Sequence, residues 1–222
     1  MLITLAVIGI VASMTIPALM NNVGDTQIRA QLKSVFSDLS QATMSIVNDN
    51  DGSLAGVFTG DWLGSEAFKN SYKAKMNTIK DCSGVAAYGG TGAATSTYDC
   101  WSATDRKLLN NDDVPLAWTI ETPAIVLNNG VSLRFLIGKS DCSEDTSFAD
   151  GDYARCGWIE VDVNGNKPPN KYGVDTFAFS VTSNNIIPVG ARGFYEPSTD
   201  CDLSNGSGTN NGFGCSAKYL YD

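Results

Sequence analysis

The sequence predicts an α+β protein in which one long N-terminal helix packs against an antiparallel sheet. Three observations lead to this fold class. The first twenty residues carry no charged side chain, the next stretch repeats apolar residues at three- and four-residue steps, and apolar and polar residues alternate after residue 115. We therefore expect an apolar transmembrane helix over residues 1–22, its amphipathic continuation over 23–50, and a globular head over 51–222.

The apolar segment at the start of the chain is long enough to cross a bilayer. Twenty helical residues span about 30 Å, which matches the thickness of the hydrocarbon layer. A buried core helix fits less well, because the segment is apolar on all sides. A cleaved signal peptide and a plain single-span anchor stay open as alternatives. No basic residues precede the apolar run, however, and no clear small-residue cleavage motif closes it.

One internal pattern of this segment is informative. Residues 7–19 read VIGIVASMTIPAL, with Gly9 eight positions before Pro17. The pattern resembles the N-terminal helix of type IV pilins and type II secretion pseudopilins. The resemblance implies that Gly9 and other small residues let helices pack closely in a filament core. Pro17 lacks a backbone donor, so we expect it to kink or weaken the helix locally.

The resemblance also implies a function and a location. It points to a structural subunit of a type IV pilus or a type II secretion pseudopilus, which forms a helical homo-oligomer together with other pilin-like subunits. Such a subunit is methylated at its processed N-terminus and is held in the inner membrane by a single span, with its head outside the cytoplasm, before it joins a periplasmic or cell-surface filament. The alternative is a monomeric binding protein or adhesin, tethered or secreted, that uses the helix for export alone.

The composition argues against catalysis and against nucleic-acid binding. The chain has no histidine, which removes the commonest general base and every Ser-His or Cys-His nucleophile pair. Its net charge of −9 repels a phosphate backbone. We expect neither an enzyme nor a nucleic-acid-binding protein.

The cysteines predict disulfide bonds. All six follow the apolar segment, and none are spaced as C-x-x-C. Zinc sites usually need such close pairs together with histidine, so disulfides in an oxidising compartment are favoured. Pairs that close short, turn-rich loops are preferred, and each would contribute about 3 kcal/mol. These pairs are Cys82–Cys100, Cys142–Cys156 and Cys201–Cys215.

The remaining elements follow from the periodicity of the apolar residues. The amphipathic helix is expected to end at about residue 48, before a cluster of Asn, Asp and Gly, and a short helix is expected over residues 65–80. Residues 84–97 form a Gly/Ala/Thr-rich loop. Alternating patterns predict strands over residues 116–121, 124–127, 131–137, 158–163, 176–182 and 186–189. Turns without helical crossovers join them, so the sheet is antiparallel.

The segment between the last two long strands, residues 162–175, is a candidate calcium loop. Asp162, Asn164 and Asn166 place oxygen donors at alternate positions, and Asp175 closes the segment. Two interpretations stay open: a calcium site with these four ligands, or a tight turn whose Asx side chains bond the local backbone. The sequence DVNGNKPPNKYGVDTF is similar to one found in pilin-like proteins. The calcium-stabilised head loop of major pseudopilins adds weight to the first interpretation.

The family's processing signature generates a prediction about the gene. In the family, a glycine and Phe-Thr-Leu-x-Glu stand directly before the apolar run, and this chain begins where the residue after that glutamate would stand. We predict that the reading frame continues upstream of Met1 into this signature and a short basic leader, with a misassigned start favoured over a trimmed chain. Sequencing the DNA upstream of Met1 checks this. A stop codon within a few codons would leave a plain membrane anchor as the better account.

Overall fold

The computed structural model describes residues 2–59, 62–82, 100–102, 106–115, 122–143, 154–192, 195–202, 204, 208 and 210–221. Of residues 2–25 and 62–64 only the backbone is described. The helices in this part of the chain are α1 (Leu2–Asp49), α2 (Trp62–Lys73), α3 (Pro197–Asp200) and α4 (Cys215–Tyr221). The strands are β1 (Thr78–Cys82), β2 (Ala124–Leu127), β3 (Ser132–Ile137), β4 (Gly157–Asp162), β5 (Thr176–Val181) and β6 (Ile186–Pro188).

The amphipathic part of the N-terminal helix is confirmed. Leu32, Val35 and Leu39 are fully buried, and they recur at the steps of three and four that place side chains on one side of a helix. The helix ends at Asp49, next to the expected end and before the polar cluster that follows it.

The predicted membrane span over residues 1–22 lies where the structure describes at most the backbone. This part of α1 is helical and includes Gly9 and Pro17, whose side-chain contacts lie outside the described residues. Among the residues whose side chains the structure describes, no helix is both long and apolar enough to cross a membrane.

The six strands form one antiparallel sheet in the order β1 to β6, so that each strand pairs with its neighbour in the chain. The antiparallel sheet is confirmed, and β2 to β6 begin and end within one residue of the predicted strands. The turns predicted between them explain this simple order, because a tight turn joins neighbouring antiparallel strands. The strand predicted over residues 116–121 and the loop over 84–97 lie outside the described residues.

The helix predicted over residues 65–80 is wrong in its second half. α2 ends at Lys73, and the residues after a short turn form β1. Ile79 shares the helical spacing of Phe68, Tyr72 and Met76 and would lie on the apolar side of the predicted helix, but it is 68% exposed. The reason is tertiary: β1 pairs with β2, and a disulfide at Cys82 holds its end. Sheet pairing outweighs a helical periodicity that is only two turns long at this point.

The inner face of the sheet packs against α1 and forms the main core. Val35 and Leu39 of α1 lie in one apolar cluster with Ile159 and Phe179 of the central strands. The ring of Phe36 stacks on Phe179, with 5.5 Å between the ring centroids. The second half of α1 is therefore an integral part of the head.

The outer face of the sheet is covered by chain with little regular structure. One part of this cover is residues 100–102 and 106–115, which we call the strap, and another is the C-terminal region. Leu108 of the strap and Phe213 pack with Trp158 in a second apolar cluster. Every residue of β4 and β5 is consequently buried, including the polar residues of the outer face.

All six cysteines form disulfides, and the pairs are those expected from loop length. One bond attaches the start of the strap to the end of β1, and a second connects α3 with α4, so both hold the outer cover. The third lies in the segment between β3 and β4. The bonds are Cys82–Cys100, Cys142–Cys156 and Cys201–Cys215.

The packing of α1 on the sheet yields a stability prediction. Leu39→Ala should lower the free energy of unfolding by about 2–5 kcal/mol, because it removes a fully buried side chain from this contact. Met44→Ala on the same helix is the matched control, since Met44 is 62% exposed, and it should change that energy by less than about 0.5 kcal/mol. Urea denaturation of the full chain in a mild detergent measures both. If both variants lost the same free energy of unfolding, the assignment of the buried side of α1 would be contradicted.

Candidate functional site

The predicted calcium ligands lie at one end of the two central strands. Asp162 is the last residue of β4, and its partner in the sheet is Thr176, the first residue of β5. Asp175 directly precedes Thr176, so the fold brings the two carboxylates to the same edge of the sheet. Both side chains are fully buried. Residues 163–175, which we call the β4–β5 loop, connect them.

Asp162 is engaged on both of its oxygens. Oδ1 accepts a hydrogen bond from the backbone N–H of Asn164 at 3.2 Å, two residues along the chain, which is the geometry of an Asx turn. Oδ2 accepts a hydrogen bond from Nη2 of Arg106 at 2.8 Å, and this is a buried ion pair. The alternative interpretation of the motif, a tight turn, is therefore realised at its first residue.

Asp175 is also surrounded by donors. Its Oδ1 accepts the backbone N–H of Lys171 at 2.6 Å, and its Oδ2 accepts the backbone N–H of Asn170 at 2.9 Å. The side-chain amide of Asn164 donates to the same Oδ2 at 3.2 Å. Asp175 thus closes the β4–β5 loop on itself, and Asn164 links it to Asp162.

Asn166, the fourth predicted ligand, contacts the strap. Its Oδ1 accepts the backbone N–H of Ser102 at 2.9 Å. The structure therefore brings together Asp162, Asn164 and Asp175, whereas the described contact of Asn166 is with a different segment. Its contribution is to attach the loop to the strap.

The donor set does not fit a calcium ion. Calcium takes about six to eight oxygen ligands, and the carboxylate oxygens of Asp162 and Asp175 already accept hydrogen bonds from N–H groups. Among the described residues of the loop, the buried side-chain oxygens without a partner are Oδ1 of Asn164 and Oδ1 of Asn170, so the side chains offer few free ligands. In the described part of the chain, no three acidic, cysteine or histidine side chains cluster as metal ligands. The contacts favour the Asx-rich turn.

A glycine in this loop is required by close packing. Gly173 has a φ of +78°, in the left-handed region that side chains disfavour. A Cβ at this position would also lie 2.6 Å from Sγ of Cys215, which belongs to the C-terminal disulfide. The loop and the C-terminal region thus pack directly on each other, and the loop acts as a support for both parts of the outer cover.

Sequence reasoning missed the charged residues that complete the site. Arg106 lies in the strap, is almost fully buried, and its guanidinium stacks over the ring of Trp101 at 3.7 Å. On the neighbouring strands, Arg134 and Glu160 form a second buried ion pair at 2.9 Å. The second pair could have been found from the sequence, because Arg134 and Glu160 are charged residues in the middle of predicted strands. Arg106 follows a stretch without periodicity, so nothing local marked it.

A tyrosine extends this second pair. The hydroxyl of Tyr172 donates a hydrogen bond to Oε2 of Glu160 at 2.9 Å. Burial, followed by the nearby carboxylate of Glu160, raises the pKa of Tyr172 well above its usual range, so the ring remains a neutral donor at physiological pH. The site therefore combines two buried ion pairs with a network of hydrogen bonds around them, which suits a structural role.

The other predicted functional residues, Gly9 and Pro17, lie in the part of α1 of which only the backbone is described. Their predicted role in assembly stays a prediction. Comparison of the chain with known protein families, curated proteins and solved structures finds no match.

The environment of Asp162 predicts a pH dependence of stability. Burial raises the pKa of this carboxyl group from 3.8 to about 7; Arg106 opposes the rise, and Asp175 adds to it. The folded state therefore holds a proton that the unfolded state releases. The resulting stabilisation is fully present below about pH 4 and is lost as the pH rises towards 7.

We predict that the wild type loses stability relative to Asp162→Asn between about pH 4 and pH 7, and that the difference is constant above about pH 8. Urea denaturation of both full chains at several pH values measures this. Two stability curves that run parallel across the whole range would contradict the raised pKa.

Proposed function

We propose that the chain is a structural subunit of a helical filament, of the type IV pilus or type II secretion pseudopilus kind, that assembles through the first half of α1. The observation that carries the proposal is the continuity of this helix. α1 extends from Leu2 to Asp49, and its second half is built into the core of the head. Its first twenty positions hold no charged residue.

The apolar first part of α1 requires a partner or a solvent other than water. Residues 1–20 carry no charged side chain, and twenty helical residues extend about 30 Å. An apolar helix of this length is stable only in apolar surroundings. A bilayer provides them before assembly, and packed copies of the same helix would provide them inside a filament.

The disulfides support an extracytoplasmic location for the head. Three bonds connect all six cysteines, and disulfides persist in oxidising compartments such as the periplasm and the cell surface. A single-span inner-membrane anchor with an exported head is the topology that such a subunit would have before assembly.

We predict that Gly9→Leu leaves insertion into the membrane intact but lowers the yield of filaments severalfold. Lipid accepts leucine readily, whereas close approach between helices depends on small residues. Val7→Leu is the matched control, because it changes size at an already large apolar position and should assemble as the wild type does. Carbonate extraction measures insertion, and electron microscopy of sheared filaments measures assembly in cells that hold the machinery.

Two outcomes would count against this proposal. Equal filament yields from Gly9→Leu and the wild type would remove Gly9 from the assembly contact. A wild-type chain that reaches the membrane but never enters a filament would favour the monomeric, tethered adhesin, with its target bound by the head alone.

A further inference from the structure

Two buried carboxylates at one edge of a sheet need a compensating positive charge. Asp162 and Asp175 are both fully buried and lie at adjacent positions of the paired strand ends. Ionised carboxylates inside a protein are costly unless they are paired and hydrogen-bonded. In calcium loops the metal ion provides the charge, and the contacts described above leave few free side-chain oxygens to bind one here.

The guanidinium of Arg106 bonds Asp162 directly and is linked to Asp175 through the hydroxyl of Thr176. Its Nη2 donates to Asp162 at 2.8 Å. Its Nη1 donates to Oγ1 of Thr176, whose hydroxyl in turn lies 3.4 Å from Oδ1 of Asp175. The Cζ atom of the guanidinium also lies 3.7 Å from the centroid of the Trp101 ring. Arginine suits this position because its planar fork can bond two acceptors and stack on an aromatic ring at the same time.

We infer that Arg106 is the built-in cation of the β4–β5 loop: it neutralises the carboxylate pair from within the chain and so makes the fold of the head independent of calcium. The strap positions the guanidinium of Arg106 next to the loop. The disulfide Cys82–Cys100 holds the start of the strap, and Lys107 bonds the loop through its backbone N–H to Asn170 and its carbonyl to Tyr172. This inference concerns folding and does not depend on the proposed filament.

The first test uses the wild-type full chain in a mild detergent at pH 8. Its melting temperature should be the same in 5 mM calcium chloride, in EDTA, and in sodium chloride of equal ionic strength. A rise in calcium alone would overturn the inference, because an ion that binds only the folded state must raise the melting temperature.

The second test separates charge from packing with a double-mutant cycle. Arg106→Met keeps the length of the stem under Trp101 but removes the charge, and it should lower the melting temperature by about 10 °C, because a buried charge loses its partner. In the Asp162→Asn background, the same substitution should cost less than half as much, because one of the two carboxylates is already neutral. Arg106→Lys, which keeps the charge, should lie between the wild type and Arg106→Met.

Equal losses in both backgrounds would show that Arg106 acts through packing alone, and the inference would fail. If Arg106→Met does not fold by itself, the double variant decides: folded protein after addition of Asp162→Asn supports the role of the charge, and unfolded protein overturns it. Loss or retention of filaments does not enter either readout.

Discussion

The contact between the apolar side of α1 and the inner face of the sheet fixes the orientation of every strand in the head. Side chains alternate between the two faces of a strand, so a shift of one residue would exchange the faces. On β4, such a shift would move Ile159 away from α1 and bring Glu160 into the main core. The apolar stripe of α1 around Val35 and Leu39 accepts only one of these registers. Because β4 pairs with both β3 and β5, the register of β4 also determines which residues of the neighbouring strands face α1.

Once the inner register is set, the outer face carries the polar half of each strand, and the protein encloses it. The cover consists of irregular chain, which cannot satisfy its peptide groups in a ladder of its own. It does so by bonding between segments: Leu109 of the strap donates its N–H to the carbonyl of Asn211, and Lys107 bonds to the β4–β5 loop. Apolar contacts order part of this layer, in the cluster that contains Leu108, Trp158 and Phe213. Around Glu160 and Asp162, buried ion pairs add further constraints, and disulfides attach the ends of the cover.

The parts of this fold that depend on local pattern were predictable. The amphipathic steps of α1 and the alternation in β2 to β6 report burial on one side of a segment, and short loop lengths indicated the disulfide pairs. Wherever a distant segment decides the outcome, the sequence was insufficient. Ile79 has the spacing of a helical residue but lies in β1, which joins the sheet through β2. The polar residues of β4 contact distant parts of the chain: Arg106 of the strap bonds Asp162, and Tyr172 bonds Glu160. At the candidate site, the turn-forming residues were visible from the sequence, but the residue that neutralises them was not.

This last difference explains why the loop motif supported two interpretations. Alternating Asp and Asn side chains with an intervening glycine specify a chain that turns sharply and directs its oxygens inward, and both a calcium loop and an Asx turn need that shape. What separates them is the source of the positive charge, which the motif does not encode. Arg106 stands more than fifty positions before Asp162 and reaches it through a strap held by a disulfide at Cys100. A covalently carried cation is present whenever the chain folds, whereas a metal must be captured from solution. The search for a calcium site in a chain of this kind should therefore include a buried arginine on whichever segment crosses the loop.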